Sequence, residues 1–183
     1  MSRNRTANKD SSSDPFLGTK FLTLFLGCGF FVCNTFLPGN VYSSDVRSPQ
    51  YLPLEARWCL PIGECLLLEI ADTIEEKRIG LMERSLIHSG TGMWFQFSPA
   101  EIVRFWMHKT YIPLDIVFLS EGLIVAIEKS LKPCFLSPCK SYGPNKLVDS
   151  VIELEAGAVE RLGIKVGDFV NIEYISGTSK DIK

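Results

Sequence analysis

The chain has 183 residues, of which 46% are hydrophobic and 22% are charged. This is the composition of an ordinary globular protein, and the length suits a single domain with one sizeable core. A formal net charge of −2 provides no basic surface of the kind that neutralising phosphates requires, so nucleic acid is excluded from the expected partners.

Residues 1–43 are typical of an export signal. A polar and basic stretch over residues 1–20 precedes an uncharged, apolar run over residues 21–37, and small residues suited to a signal peptidase follow it. The run lies at the lower end of the roughly 17–25 residues that span a bilayer, which favours cleavage over retention as a signal anchor. A lipid anchor at Cys28 is a third interpretation. We therefore predict an exported protein, periplasmic or membrane-anchored and facing outside the cytoplasm.

Four cysteines follow the signal segment in two local pairs, within "CLPIGEC" and "CFLSPC". An even number of cysteines in an exported domain indicates disulfides, and proximity alone favours local pairing. A structural zinc site is the alternative, although neither spacing is the tight C-x-x-C of zinc ribbons. The predicted disulfide cysteines are Cys59, Cys65, Cys134 and Cys139.

Three further segments complete the predicted organisation. Residues 44–62 mix Ser, Pro and charged residues without a clear period, which indicates a linker and lead-in. Residues 63–176 are predicted to form a single β-rich domain. Residues 177–183 are predicted to be a frayed tail.

The first elements of the domain are a strand and a short helix. The apolar run "ECLLLEIAD" has strand length. Thr73 and Glu76 then form a capping box, which predicts a helix that begins at Ile74 and continues through "IEEKRIGLM". Gly80 costs such a helix roughly 1 kcal/mol relative to alanine, so we expect a close approach to the sheet there.

The remaining elements are mostly strands. "TGMWFQFS", "VRFWMH" and "LDIVFLS" are predicted strands, and a tight turn at Glu121 and Gly122 leads into "LIVAIEKSL" as a hairpin. The proline- and cysteine-containing stretch over residues 132–150 is predicted to be a loop. "VIELEAG", a short helix and a final strand follow. The fold class is therefore mainly β, a small antiparallel barrel or sandwich of about seven strands with two short helices.

Residues 104–119, "RFWMHKTYIPLDIVFL" and hereafter the central segment, concentrate mixed chemistry between two apolar runs. Asp115 is flanked by apolar residues, and a buried carboxylate needs solvent or a partner. The candidate partners are Arg84, Lys109 and Thr110, and a two-pronged Arg84 contact would be the strongest. The alternative is that Asp115 caps a turn after Pro113.

Evidence for catalysis in the central segment is thin. His108 beside Lys109 suggests acid–base chemistry, yet the chain has only two histidines and no glycine-rich phosphate loop or nucleophile elbow. The large aromatic residues, Trp106 among them, are predicted to be core. Tyr142 lies in the cysteine-bounded loop, where its phenol could contact a ligand. No metal site and no cofactor are predicted.

Six motifs occur along the chain in a fixed order. They are "GLMERSL", "GMWFQF", "FWMHKTYIPLDIVFL", the "PC...PC...YG" loop, "VIELEAG" and "LGIKVGDFV". In this order they resemble the family catalogued as domain of unknown function 192, over about residues 64–174. The resemblance implies a small prokaryotic, mainly β domain, often behind a signal peptide, with no established activity.

The resemblance can be carried over position by position. The family commonly has Lys-Asn where this chain has His108-Lys109. A mechanism that needs the side-chain amide of that Asn is therefore in doubt for this chain. Because other members have Lys at the position of His108, the resemblance does not imply that His108 is a catalytic base. The matching residues are Arg84, Phe105, Trp106, Met107, Thr110, Pro113, Leu114, Asp115 and Tyr142.

Three functional hypotheses follow. The first is a non-enzymatic binding module outside the cytoplasm that takes a small ligand, glycan or protein through Arg84, Thr110, Asp115 and Tyr142. The second is a hydrolase or lyase centred on Asp115 and Arg84, with Lys109 or His108 as further catalytic candidates. The third gives these polar residues a purely structural role. Membrane contact is expected only through the N-terminal segment, if it is uncleaved.

Overall fold

A computed structural model of the chain describes residues 48–175, which form nine β-strands and two short helices. This confirms the predicted mainly β class. The predicted signal segment and tail, residues 1–43 and 177–183, lie outside the described residues. The elements are β1 (Leu54–Cys59), β2 (Cys65–Ala71), α1 (Ile74–Ile79), β3 (Thr91–Glu101), β4 (Phe105–Trp106), β5 (Leu114–Ser120), β6 (Leu123–Leu131), β7 (Ser141–Tyr142), β8 (Val148–Glu155), α2 (Ala158–Arg161) and β9 (Ile172–Tyr174).

Seven of these strands form one sheet in the order β6-β5-β8-β3-β2-β1-β9, while β4 and β7 pair separately. The large sheet is sandwich-like and is not closed into a barrel. Its neighbouring strands pair antiparallel, except that β2 and β3 are parallel. The sheet is thus mostly antiparallel, as predicted, but it contains one parallel pair that makes it mixed. Parallel neighbours need a crossover connection, and α1 with the loop after it supplies one.

Residues 54–59, within the predicted linker, form strand β1. It pairs with β2 on one side and with β9 on the other. Ala56 and Trp58 are buried in the core, and a disulfide between Cys59 and Cys65 closes the β1–β2 hairpin. The alternating burial of β1 follows the two-residue period of a strand, but neighbouring prolines and charged residues hide that period in the sequence.

The large sheet buries an apolar cluster on each face. Ile152 and Leu154 of β8 belong to one cluster, together with residues of α2. Val151, which precedes Ile152 and points to the opposite face, belongs to the other cluster with Phe95 of β3. Since successive side chains of a strand point to opposite faces, β8 contributes to both clusters, which explains its apolar sequence.

Helix α1 begins as predicted and ends earlier. The Thr73 hydroxyl accepts the Glu76 N–H at 3.2 Å, and the Glu76 carboxylate accepts the Thr73 N–H at 3.0 Å, which confirms the capping box. The last helical residue is Ile79, because Gly80 has a φ of 51°. A Cβ at Gly80 would lie 3.3 Å from Cζ of Phe95. The expected close approach to the sheet is therefore present, at the end of the helix.

The hairpin between β5 and β6 is confirmed, with positive φ angles at Glu121 and Gly122. A second disulfide joins Cys134 and Cys139, so both local cysteine pairings are confirmed. The predicted strand "VRFWMH" is reduced to β4, which pairs with β7 inside the predicted loop. Within residues 48–175, no helix combines the length and apolarity that a membrane crossing requires.

Candidate functional site

The middle of the central segment is a tight turn tied to two neighbouring loops. Lys109 has a φ of 55°, and the Thr110 N–H donates to the Met107 carbonyl at 3.4 Å. The Lys109 N–H donates to the Cys134 carbonyl at 3.1 Å, and the Lys109 carbonyl accepts the Glu83 N–H at 2.7 Å. The turn is therefore held between the disulfide-bonded loop and the loop after α1.

Side chains around this turn separate into buried and exposed groups. Met107 and Thr110 are buried, whereas Trp106 is 51% exposed. The expectation that Trp106 lies in the core is therefore wrong. His108 lies beside Trp106, with ring centroids 5.2 Å apart. The Lys109 ammonium group forms a surface ion pair with Glu83 at 3.7 Å. The His108 Nδ1 lies 3.7 Å from Sγ of the disulfide-bonded Cys139, and neither His108 nor Lys109 forms a side-chain hydrogen bond to another acid or base among residues 48–175.

Asp115 is buried and binds backbone groups from two elements. Its Oδ1 accepts the Ser130 N–H at 2.7 Å, beside a register shift between β5 and β6. Its Oδ2 accepts the Val159 N–H at 3.0 Å, in the first turn of α2. None of the three side chains predicted as its partner bonds to it within the described part of the chain. Asp115 thus satisfies amide groups that the sheet and helix leave unpaired.

Arg84 is buried and pairs with Glu69, which corrects the predicted Arg84–Asp115 contact. The guanidinium makes two parallel bonds to the carboxylate, at 2.7 and 2.6 Å, the fork geometry of a strong arginine–carboxylate pair. Its Nε donates to the Gln50 carbonyl, and the Leu52 N–H donates to Glu69. The pair therefore fastens residues 50–52 to the sheet.

Tyr142 packs against the sheet and does not line the pocket described below. It is the register partner of Phe105, and the ammonium group of Lys140 lies 4.7 Å from its ring centroid. The structure thus does not bring Arg84, Asp115 and Tyr142 to one point. Of the predicted binding residues, Thr110 alone lines the pocket that contains Glu153.

Glu153 lies at the centre of the large sheet, on β8 between β3 and β5. Its register partners are Met93 and Ile116, so it points to the face opposite Asp115. It is 5% exposed, and no residue in the range 48–175 forms a hydrogen bond to its carboxyl group. Burial raises the pKa of Glu153 to about 8, and the positive charge of Arg84 opposes part of that rise. The carboxyl group is therefore mostly protonated at neutral pH.

A narrow pocket, hereafter the inner recess, opens above Glu153. It lies between the end of α1 and the central turn and includes Gly80, Phe105 and Thr110 in its lining. Its volume is about 30 Å³, room for about two water molecules. A Cβ at Gly80 would lie 3.9 Å from Oε2 of Glu153. The missing side chain at Gly80 therefore helps to leave the carboxyl group accessible.

A wider pocket, hereafter the outer pocket, adjoins the inner recess. The two share Lys77, Arg78, Phe105 and Trp106 as lining residues. The outer pocket has a volume of about 390 Å³, within the roughly 300–1,000 Å³ that is typical of ligand sites. Together the two pockets form a cleft with a polar, narrow end and a broad, open end.

The sequence offered a weak signal for Glu153. In "VIELE" Glu153 lies between Ile152 and Leu154 in what reads as a buried strand, and buried acids are uncommon unless paired. What the sequence could not supply is the absence of a partner, which depends on β3 and β5 presenting Met93 and Ile116 beside Glu153.

The chemistry available in the cleft is that of a neutral acid and a hydroxyl group. The protonated Glu153 carboxyl can donate one hydrogen bond and accept others, and Thr110 can do the same. The Thr110 hydroxyl forms no hydrogen bond to another residue among those described. No group of three or more potential metal ligands occurs within residues 48–175.

The fold and cleft define a small mixed-β domain with a buried carboxyl group at the base of a cleft, and this group has no hydrogen-bond partner among residues 48–175. The chain belongs to the DUF192 family, whose model is described as "Uncharacterized ACR" and matches residues 61–172. The predicted resemblance is thereby confirmed. No curated protein matches this chain.

The solved structures that are similar to this chain include the following two. A protein of unknown function from Novosphingobium aromaticivorans DSM 12444 is 28% identical, with a TM-score of 0.59, over 69% of this chain and 94% of that one. A putative transcription regulator from Sinorhizobium meliloti 1021 is 32% identical, with a TM-score of 0.55, over 66% of this chain and 92% of that one. The shared part is thus nearly the whole of each solved protein.

Proposed function

We propose that this protein is an exported binding domain whose ligand site is the cleft formed by the inner recess and the outer pocket. The observation that carries the proposal is Glu153, a buried carboxyl group with no hydrogen-bond partner among the described residues. Leaving such a group unpaired costs free energy, and its position at the base of a pocket gives it access to a ligand.

The lining of the outer pocket supports the same proposal. Trp106 is half exposed at the boundary of the two pockets, and an exposed tryptophan offers a large, rigid and amphipathic contact surface. The Cys134–Cys139 disulfide constrains the loop that binds the central turn through Lys109. A cleft built on such fixed elements is suited to recognition with little reorganisation.

Export is supported by two features. The two disulfides are of the kind that persists in an oxidising compartment, and residues 1–43 have the pattern of a signal segment. Expression of the full-length chain in a bacterium, followed by mass analysis of the periplasmic fraction, tests this part. We expect a chain lacking the signal segment and all thiols of the domain oxidised. Intact chain with reduced thiols in the cytoplasmic fraction would contradict export.

A second candidate function is acid catalysis, and it too depends on Glu153. A carboxyl group that stays protonated near neutral pH is the usual form of a general acid. Asp115 and Arg84 do not support the hydrolase or lyase that the sequence suggested, since both are engaged in other bonds. Turnover of a bound compound that is lost in Glu153→Gln would favour this candidate over simple binding.

The binding proposal is tested by NMR with the isotope-labelled, exported protein. A panel of neutral sugars, organic acids and blocked amino acids is added one compound at a time, and the Trp106 indole and Thr110 amide signals are followed. We expect at least one class to shift both signals, and Trp106→Ala to weaken that binding. The matched control is Glu128→Gln, which changes a carboxyl group on β6, outside the cleft lining. Compounds that bind with equal affinity to the Trp106→Ala variant, or shift only distant signals, would refute the proposal.

A further inference from the structure

We infer that the ligand of the cleft carries a carboxylate group, which enters the inner recess and accepts hydrogen bonds from Glu153 and Thr110. The body of the ligand then occupies the outer pocket against Trp106. This inference rests on the proposed function and deepens it, since it names the chemical class that the site recognises.

The size of the inner recess favours a carboxylate. Its volume of about 30 Å³ holds about two water-sized atoms, and a carboxylate presents two oxygens in one plane. A phosphate or sulfate group presents at least three outward oxygens in a tetrahedron and does not fit such a space. A whole sugar ring or amino acid is also too large, so the body of the ligand must remain outside.

The polar groups of the inner recess are suited to an acceptor. The Glu153 carboxyl group is mostly protonated at neutral pH and therefore has a hydrogen to donate, as has the Thr110 hydroxyl. A hydrogen bond to an ionised oxygen contributes more than one between neutral groups. In effect the ligand carboxylate and Glu153 would share one proton, as paired carboxyl groups do in other proteins.

Charges around the outer pocket also favour an anion. Lys77, Arg78 and Arg104 line it, and Glu101 is its single acidic lining residue. Lys77 lies 5.0 Å from the centroid of the Phe97 ring and has no ion pair to any described residue.

The two arginines differ in how far they are neutralised. Among the described residues Arg104 bonds only to neutral oxygens, those of Gly143 and Asn145, whereas Arg78 is paired with Glu75. The cations therefore outnumber the carboxylates, although the chain as a whole has a net charge of −2.

The charged groups that face Glu153 come from three directions. Lys77 and Arg78 belong to α1 and line the inner recess together with Glu153. Glu69 of β2 lies in the same cross-strand row through Met93, and Arg84 is paired with Glu69. On the other side, Glu128 of β6 lies in this row through Ile116. No histidine or cysteine lines the inner recess, so a pH dependence of carboxylate binding between about pH 7 and about pH 9.5 reports on Glu153.

The experiment compares matched probes that differ in the group offered to the inner recess. D-galacturonate, D-galactose and D-galactose 6-phosphate form the sugar series, and N-acetylalaninate with N-acetylalaninamide forms the peptide-like series. Dissociation constants are measured by NMR titration of the Trp106 and Thr110 signals at about pH 7 and about pH 9.5. The series that binds more tightly identifies the source of the carboxylate.

We expect each carboxylate to bind at least about tenfold more tightly than its neutral partner and than the phosphate, a difference of about 1.4 kcal/mol. Affinity should fall at least about tenfold between pH 7 and 9.5, because ionised Glu153 no longer donates. Glu153→Gln retains a neutral donor, so it should bind carboxylates without this pH dependence. Lys77→Gln should weaken carboxylate binding several-fold and leave D-galactose unaffected.

Three results would overturn the inference. If neutral probes bind the cleft as tightly as carboxylates do, the ligand does not require a carboxylate group, and the inference is wrong while the proposed binding function is retained. If the parent protein binds carboxylates with the same affinity at about pH 7 and about pH 9.5, Glu153 is not the hydrogen-bond donor. If D-galacturonate and the broader panel both bind only outside the cleft, the inference and the proposed function fail together.

Discussion

Asp115 and Glu153 are buried carboxyl groups on adjacent strands that differ in what surrounds their oxygens. Asp115 accepts two backbone N–H groups, from Ser130 and Val159. Glu153 accepts none from the described residues, and it lies on the opposite face of the sheet under an open recess. Burial is thus common to both, and the difference in bonding separates a carboxylate that holds the fold from one that is available to a ligand.

A third buried carboxylate, Glu69, extends the comparison. Its oxygens bind the Arg84 guanidinium and the Leu52 N–H, so it too is fully engaged. Buried acids of this sheet thus have three kinds of environment: Glu69 binds a cation, Asp115 binds two backbone N–H groups, and Glu153 faces an open recess. They make different predictions for mutation, given below from the largest expected effect to the smallest.

Removal of Arg84 should have the largest effect. Arg84→Met leaves Glu69 buried without its cation, and such a loss costs about 3–5 kcal/mol. The matched control is Arg57→Met, which breaks the exposed pair with Glu173 and should cost less than about 1 kcal/mol. Urea unfolding measures both. Equal losses in the two variants would show that burial of the pair contributes nothing.

Removal of Asp115 should cost somewhat less. Asp115→Ala leaves two backbone N–H groups without their acceptor, and bonds to a charged group contribute about 1.5–3 kcal/mol each. We expect a loss of about 3 kcal/mol in urea unfolding. Asp149→Ala is the control, since it removes one exposed bond to the Glu121 N–H. If Asp115→Ala were as stable as this control, the structural role of Asp115 would be wrong.

Substitution of Glu153 should change the pH dependence of stability. The native carboxyl group holds its proton up to about pH 8, whereas its ordinary pKa is 4.5. Between these values the native state binds more protons than the unfolded state, so the free energy of unfolding falls as pH rises. Glu153→Gln cannot ionise, so its free energy of unfolding does not fall in this way. Relative to the parent protein, it should increase by up to about 1.4 kcal/mol per pH unit.

Thermal and urea unfolding between about pH 5 and about pH 8 check the Glu153 prediction. Glu128→Gln is the control, because Glu128 also pairs in register with Ile116 but lies outside the cleft lining. Its pH dependence should match that of the parent protein. A stability difference between Glu153→Gln and the parent that stays constant with pH would contradict the buried, protonated state of Glu153.

The smallest effect is expected at Thr110, whose hydroxyl forms no hydrogen bond to a described residue. Thr110→Val should change stability by less than about 0.5 kcal/mol while weakening ligand binding. Thr73→Val removes the hydroxyl that accepts the Glu76 N–H at the start of α1 and should cost about 1 kcal/mol. Urea unfolding compares them, and a larger loss at Thr110 than at Thr73 would indicate a structural role for its hydroxyl.

Much of the fold was predictable because it depends on local signals. The Thr73–Glu76 capping box sets the start of α1, and the Glu121–Gly122 turn sets the β5–β6 hairpin. Local cysteine spacing also predicted both disulfides. Each of these features involves residues a few positions apart, so short-range geometry was sufficient.

Strand β1 and the parallel pairing of β2 with β3 were not predicted. Both depend on strand pairings that local sequence does not specify. Strand β1 pairs with β9, which lies over a hundred residues further along the chain. Strand β3 is parallel to β2 because the chain crosses back through α1 before β3 begins. The same limit applies to the site. The sequence offered Arg84 as a candidate partner of Asp115 because a buried carboxylate needs a partner and a guanidinium can bind it through two bonds. It could not assign the partner that each residue has in the fold.

The sequence by itself therefore determined the mainly β class, the capped helix, the hairpin, the disulfides and the family. The tertiary structure alone decided which buried acid is bonded and which is not. Side-chain chemistry is the same for Asp115 and Glu153, but the register of β8 between β3 and β5 places the apolar side chains of Met93 and Ile116 on either side of Glu153. The missing side chain at Gly80 leaves space above Glu153. Apolar register partners and this space together make Glu153 the candidate ligand-binding residue.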